Sequence, residues 1–289
     1  MKKCLILVFL FWLSGARVEA AEFASYEIPR TEVIPIQDTH AGKQYELYVK
    51  LPDKYHEKPD AHYPVIYYTD GVWHIELLYA ATEFLMEDAI LVGISWQQDM
   101  KEEFKKKGAH VSRFWDYSVR ESKDPERQAK YQFGQAGNHL AFLRKDVIPY
   151  VENRYRTQAD NRSYFGYSLG GVFGSYVLLA QPDTFKNYIL GSPSLKGDIP
   201  TMVKLSASSL KPLNANVFIS YGSLENELAE YVEEFITLLK QRNDDSLMLE
   251  QVVIDGDHQR ASPPTAIRAL NWLHGLQTPL DAKQAEGEQ

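Results

Sequence analysis

Arg162-Ser163-Tyr164-Phe165-Gly166-Tyr167-Ser168-Leu169-Gly170-Gly171-Val172 runs from a strand-like segment through a glycine-flanked serine into a helical one. Its first half is aromatic and strand-like, and Val172 to Ala180 continues as an apolar run of helical character. Between them lies a Gly-x-Ser-x-Gly pentapeptide centred on Ser168. Glycines on both sides let the chain reverse sharply and hold a strained serine at the tip of a strand-to-helix turn. The pentapeptide alone is a weak signal, because glycine and serine are common. With a strand before it and a helix after it, it predicts a nucleophile elbow and acyl-transfer chemistry.

Working outward, strands and helices alternate. Tyr45 to Leu51 alternates apolar and polar residues and stops at Pro52-Asp53, and Tyr63 to Thr69 is a buried-strand run ending at Asp70-Gly71. Ile75 to Met86 reads as a helix and Ala89 to Ser95 as a strand. Gln97 to Gly137 then breaks the pattern with polar and aromatic residues. Leu140 to Asn153 is helical, Tyr188 to Leu190 and Val217 to Tyr221 are strands, Leu228 to Leu239 is a helix, Leu247 to Ile254 a strand and Ile267 to His274 a helix. This alternation predicts an α/β fold, a mostly parallel central sheet with helices on both faces. The residues are expected to form one domain from 21 to 277, with 97–137 a lid-like insertion over the crevice and 278–289 a disordered tail.

The chain has 289 residues, 44% of them hydrophobic, enough for one large core. Residues 1–20 differ from the rest: Lys2 and Lys3 precede an apolar stretch from Cys4 to Leu13, and Val18-Glu19-Ala20 ends it. That is the pattern of a secretory signal peptide, and ten apolar residues are too few to span a bilayer core that needs about twenty. A periplasmic or secreted location follows, with no stable membrane insertion after cleavage. Cleavage would move the formal charge from -8 to -10, an acidic balance that disfavours nucleic acid as a partner. Cys4 is the one cysteine, so the mature chain would have no disulfide and no thiolate site. The histidine spacing gives no metal site, and no cofactor is implied.

In a parallel sheet the loops leaving the carboxyl ends of the strands form the binding crevice. A serine hydroxyl needs an imidazole to accept its proton, and the imidazole needs a carboxylate to fix its tautomer, in the chain order Ser, acid, His. Only His258 and His274 follow Ser168. His258, directly after the last strand, is the base candidate, and His274 lies within the terminal helix. Glu225 follows the strand Val217 to Tyr221 and is the acid candidate, although a carboxylate there can also serve a helix N-terminus. Glu227 and Asp198 are alternatives. The oxyanion donors are expected to be the N–H of Leu169 and an N–H of Val72 or Gly71. His74 and His110 are candidates for the mouth of the site.

Further blocks carry a family resemblance: Tyr68-Thr69-Asp70-Gly71, Arg113-Phe114-Trp115-Asp116-Tyr117, Phe142 to Tyr150, Tyr155-Arg156-Thr157, Ser192-Pro193-Ser194, Gly222 to Glu225 and Gly256-Asp257-His258. From about residue 40 to 275 the chain resembles the Putative esterase family of the α/β-hydrolase superfamily, and within it the periplasmic, enterobactin-type siderophore esterases. The resemblance implies an α/β-hydrolase fold, Ser168 as nucleophile and His258 as base. Members of that branch differ in whether they carry a triad acid, which bears on Glu225. The expected partner is a small-molecule ester. Acyl transfer to an alcohol and a noncatalytic, ligand-binding role of the same fold are the alternatives.

The insertion carries nine basic and seven acidic residues in an otherwise acidic chain. Trp73 and Trp96 follow two strand ends and Trp115 lies in the insertion, so the three are candidates for the wall of an acyl or aryl pocket, or for packing. Arg113 is a candidate partner for a substrate carboxylate or catecholate, or for Asp116 within the lid.

Overall fold

Continuous apolar strands buried on both faces need helices on both sides, and the structure supplies them. The computed structural model describes residues 26–209 and 211–277. The expected signal peptide and the expected disordered tail lie outside the described residues. The first half runs β1 (Thr31–Gln37), β2 (Gln44–Lys50), β3 (Tyr63–Tyr68), α1 (Gly71–Leu85) and β4 (Ile90–Ile94). Within the insertion come the short helices α2 (Glu102–Lys105), α3 (Arg113–Asp116) and α4 (Pro125–Tyr131). Then α5 (Ala136–Phe142) and α6 (Ile148–Arg154) are joined by a π-helical turn over Leu143–Val147. The second half is β5 (Thr157–Tyr167), α7 (Leu169–Ala180), β6 (Asn187–Gly191), α8 (Ile199–Ser208), β7 (Asn216–Gly222), α9 (Asn226–Gln241), β8 (Met248–Ile254) and α10 (Ser262–Gln277).

The strands form an eight-stranded sheet in the order β1-β2-β4-β3-β5-β6-β7-β8. Pairs β1–β2 and β2–β4 are antiparallel, and every pairing from β4 through β3 to β8 is parallel. This is the expected α/β architecture. Alternate residues of each central strand enter opposite cores. Val65, Tyr67, Tyr164, Tyr188, Leu190, Val217 and Ile219 face the larger one, beside α5 to α9. Ile66, Tyr68, Phe165, Ile189 and Phe218 face the smaller one, beneath α1 and α10. Each such large apolar side chain contributes about 1.5–3 kcal/mol on burial, so both faces hold the sheet.

Three features differ from the sequence reading. Helix α1 begins at Gly71, four residues before the expected start, because Asp70 takes a left-handed conformation (φ 57°, ψ 44°) and turns the strand end straight into a helix. Strand β1 pairs at the sheet edge, where its exposed positions and Pro35 mask any alternation. Helix α8 opens with Pro200 near its first turn, where the missing N–H costs nothing, and its short apolar face hides among serines.

Candidate active site

Ser168 stands between β5 and α7 with φ 57° and ψ -114°, a strained conformation for a residue with a side chain. Its N–H donates to the Gly191 carbonyl at 2.8 Å, which ties the turn to the end of β6. The flanking glycines are required by close approach. A Cβ on Gly166 would lie 2.4 Å from the Gly170 carbonyl oxygen, and one on Gly170 would lie 2.5 Å from Thr69 Oγ1. The second contact seats the first turn of α7 against the end of β3. Bonding within α7 starts at Val172 N–H to Ser168 O (3.1 Å), so the Leu169 amide lies ahead of the helical ladder at its positive end. On the facing loop the Trp73 N–H already bonds Asp70 O at 2.8 Å, and the Gly71 and Val72 amides precede it.

Glu225 and His258 are in contact. Nδ1 of His258 lies 2.5 Å from Glu225 Oε1. A carboxylate can only accept, so the contact suits the tautomer with its hydrogen on Nδ1, the one that leaves Nε2 a lone pair. The other carboxylate oxygen accepts from Ser192 Oγ at 2.7 Å and from the Gly222 N–H at 2.6 Å. Glu225 occupies the position before α9, yet its side chain makes no capping bond to that helix. Its side chain is 5% exposed and that of His258 41%, so the acid is buried and the imidazole faces the cleft. The cleft, of about 560 Å³, is lined by Ser194, Leu224, Glu225, Asn226, Leu228 and His258 among others.

The alternative carboxylates are engaged elsewhere. Glu227 pairs with Lys196 on the surface, and Asp198 pairs with Arg120 at 2.7 Å while burial raises its pKa.

Three groups escaped the sequence reading. The Tyr167 hydroxyl donates to the His258 carbonyl at 2.6 Å and sits 2.9 Å from Ser192 Oγ, so it straps the histidine loop to the elbow. Burial raises its phenol pKa further. Ser192 braces Glu225, and Ser194 Oγ lies 3.3 Å from Ser168 Oγ. The signal was present in the block Ser192-Pro193-Ser194 and in the tyrosine beside the serine, but neither spacing announces a partner.

The aromatic and cationic candidates are only partly brought together. Trp73 and Trp96 meet edge to face at 4.7 Å, with His110 at 5.6 Å from Trp73. Trp115 stands apart: Lys43 lies over its ring at 5.5 Å, and it lines a separate cleft of about 470 Å³ with Lys43, Gln97, Phe104 and Tyr131. Arg113 pairs with Asp70, not with Asp116. Asp116 is instead sealed in the interior, where it accepts from Tyr45 and Gln97. His74 is buried edge-on against Phe165 at 5.2 Å and does not line the mouth. Among the described residues no cluster of metal-ligating side chains occurs, and no helix is long and apolar enough to cross a membrane.

The model of the family described as "Putative esterase" matches residues 39–260. The chain belongs to the Putative esterase family. This esterase is 27% identical over 276 residues to the ferri-bacillibactin esterase BesA of Bacillus subtilis (strain 168), covering 86% of the chain and 92% of that relative. Among solved structures, the BES protein from Bacillus cereus matches with a TM-score of 0.74 at 24% identity, over 87% of this chain and 98% of that one. An IroE-like serine hydrolase from Shewanella oneidensis matches with a TM-score of 0.70 at 18% identity, over 85% and 79%. The esterase therefore has the α/β-hydrolase fold.

Proposed function

We propose that the esterase is an exported serine carboxylic-ester hydrolase that works through an acyl-Ser168 intermediate on siderophore esters. The observation that carries the reading is the 2.5 Å contact of Glu225 with His258 in a cleft that Ser194 also lines, with Ser194 Oγ 3.3 Å from Oγ of the strained Ser168. Ser168 Oγ attacks the ester carbonyl and passes its proton to His258 Nε2. Glu225 keeps the imidazole in the required tautomer and stabilises its cation. The tetrahedral oxyanion accepts from the Leu169 amide and from Val72 or Gly71. Its collapse breaks the ester C–O bond, and the leaving alcohol takes the proton from His258. Water then attacks the acyl carbon, gives a proton to Nε2, and the second collapse returns that proton to Ser168.

A siderophore ester is favoured because the ferri-bacillibactin esterase aligns along most of both chains. Export rests on the Lys2-Lys3, apolar and Val18-Glu19-Ala20 pattern of residues 1–20. The test is a panel of short p-nitrophenyl esters and of ferric and iron-free siderophore lactones. The wild type is expected to hydrolyse both classes, with Ser168→Ala and His258→Ala at least about 10³-fold slower in kcat. A wild type inactive on every ester would favour the ligand-binding alternative, and hydrolysis of simple esters alone would remove the siderophore assignment.

A further inference from the structure

The first turn of α1, which carries the Gly71 and Val72 amides, is gripped from outside. Arg113 Nε lies 2.7 Å from Asp70 Oδ1, and its Nη2 donates to Oδ2 at 3.0 Å. Of the two, the Nη2 contact has hydrogen-bond geometry and the Nε contact is an ion pair, made by a planar guanidinium whose shape an ammonium does not reproduce. Trp96 Nε1–H donates to the same Oδ1 at 2.8 Å. The Asp70 backbone N–H donates to the Tyr117 hydroxyl at 3.3 Å. The guanidinium is 5.0 Å from the Trp73 ring centroid and 5.7 Å from that of Tyr117. Asp70 itself is fully buried and left-handed, a conformation that costs about 1–2 kcal/mol in an L-residue and persists where surroundings enforce it. Arg113 and Tyr117 come from the insertion, and Trp96 ends the strand-exit loop before it. All converge on residues 70–73.

We propose that Asp70, clasped by Arg113 and Trp96, is the positioning residue of the oxyanion site, aiming the Gly71 and Val72 amides so that the insertion and the oxyanion site form one unit. The inference rests on the serine-esterase reading above. It assigns the Arg113 cation to the protein's own Asp70, not to an anionic substrate. Amides that are misaimed lose more against the oxyanion than against the neutral carbonyl, so the loss falls on kcat and not on KM.

The test compares a neutral ester, p-nitrophenyl acetate, with an anionic catecholate siderophore lactone, and adds an aryl trifluoromethyl ketone that forms a tetrahedral adduct. Arg113→Gln is expected to lower kcat about 10–100-fold on both esters, with KM within about threefold, and to weaken the ketone by a similar factor. Arg113→Lys should not restore the rate, and Asp70→Asn combined with Arg113→Gln should lose no more than the worse single variant. Trp96→Phe removes one donor and keeps an aromatic ring. It is expected to show a smaller loss of the same kind, and it carries the test should Arg113→Gln fail to fold by circular dichroism. A rise in KM confined to the anionic ester, or unchanged kcat in folded Arg113→Gln and Trp96→Phe, overturns the clasp. A wild type inactive on both esters contradicts the esterase reading and this inference with it, whereas an active wild type with unaffected variants overturns the inference alone.

Discussion

Glu225 shows how one side chain gains a role from three neighbours. Gly222 and Ser192 hold one carboxylate oxygen and His258 the other. Glu225→Gln keeps the shape, but the Gly222 N–H holds the amide oxygen and turns the NH2 towards Nδ1, which favours the wrong tautomer, and a neutral amide does not stabilise the cation. A kcat loss of about 10²–10⁴-fold is expected on any ester, with KM little changed. The buried pair Asp116 and His139 makes a different case. His139 Nδ1 is 3.9 Å from Asp116 Oδ1, and burial pushes the carboxyl up to about 7 and the imidazole down to about 3. The folded state holds the Asp116 proton more tightly than the unfolded chain, so that group's contribution to stability falls as pH rises from about 4 to 7. For His139 the unfolded chain takes the proton first, so stability falls as pH drops from about 6.5 towards 3. The slopes oppose each other between about pH 4 and 6.5. Relative to wild type, Asp116→Asn should make Tm rise more steeply with pH across that window, and His139→Phe should make it fall, measured by calorimetry. The placement of Ser168, Glu225 and His258 was legible because strand ends and chain order confine them. Arg113 was misread because Asp116, three residues away in sequence, looks the nearer partner, while burial had sent that carboxylate inward.

The elbow element depends on space as well as on conformation. Gly170→Ala would put a methyl group 2.5 Å from Thr69 Oγ1, where the end of β3 meets the first turn of α7. The expected cost is about 1–3 kcal/mol of stability by denaturant unfolding, with activity reduced further because Leu169 and Gly71 are pushed apart. A variant as stable and active as wild type would show that this contact is not tight. The strand, serine turn and helix from Arg162 to Ala180 could be read from sequence, since local pattern and glycine placement agree, whereas the polar first residues of β5 from Thr157 could not. The start of α1 could not. Asp70-Gly71 has the composition of a turn, and only the tertiary grip on Asp70 makes it a helix entrance. The partly exposed edge strand β1 and the serine-rich α8 lack the periodicity that marks central elements.

Across the whole molecule, one sheet divides two cores, and its carboxyl edge gathers Gly71 after β3, Ser168 after β5, Ser192 after β6, Glu225 after β7 and His258 after β8. Parallel strands with helices between them force that convergence, which is why the strand ends mark the candidate site in the sequence itself. The insertion adds its own contact to the same edge through Arg113, and sequence pattern gave no hint of that grip. Covalent catalysis by Ser168 is tested by active-site labelling with a fluorophosphonate, followed by peptide mass spectrometry. A single adduct is expected on the peptide containing Ser168, with loss of ester hydrolysis in step with labelling and no adduct in Ser168→Ala. An adduct on another residue, or full hydrolysis surviving in Ser168→Ala, would contradict it.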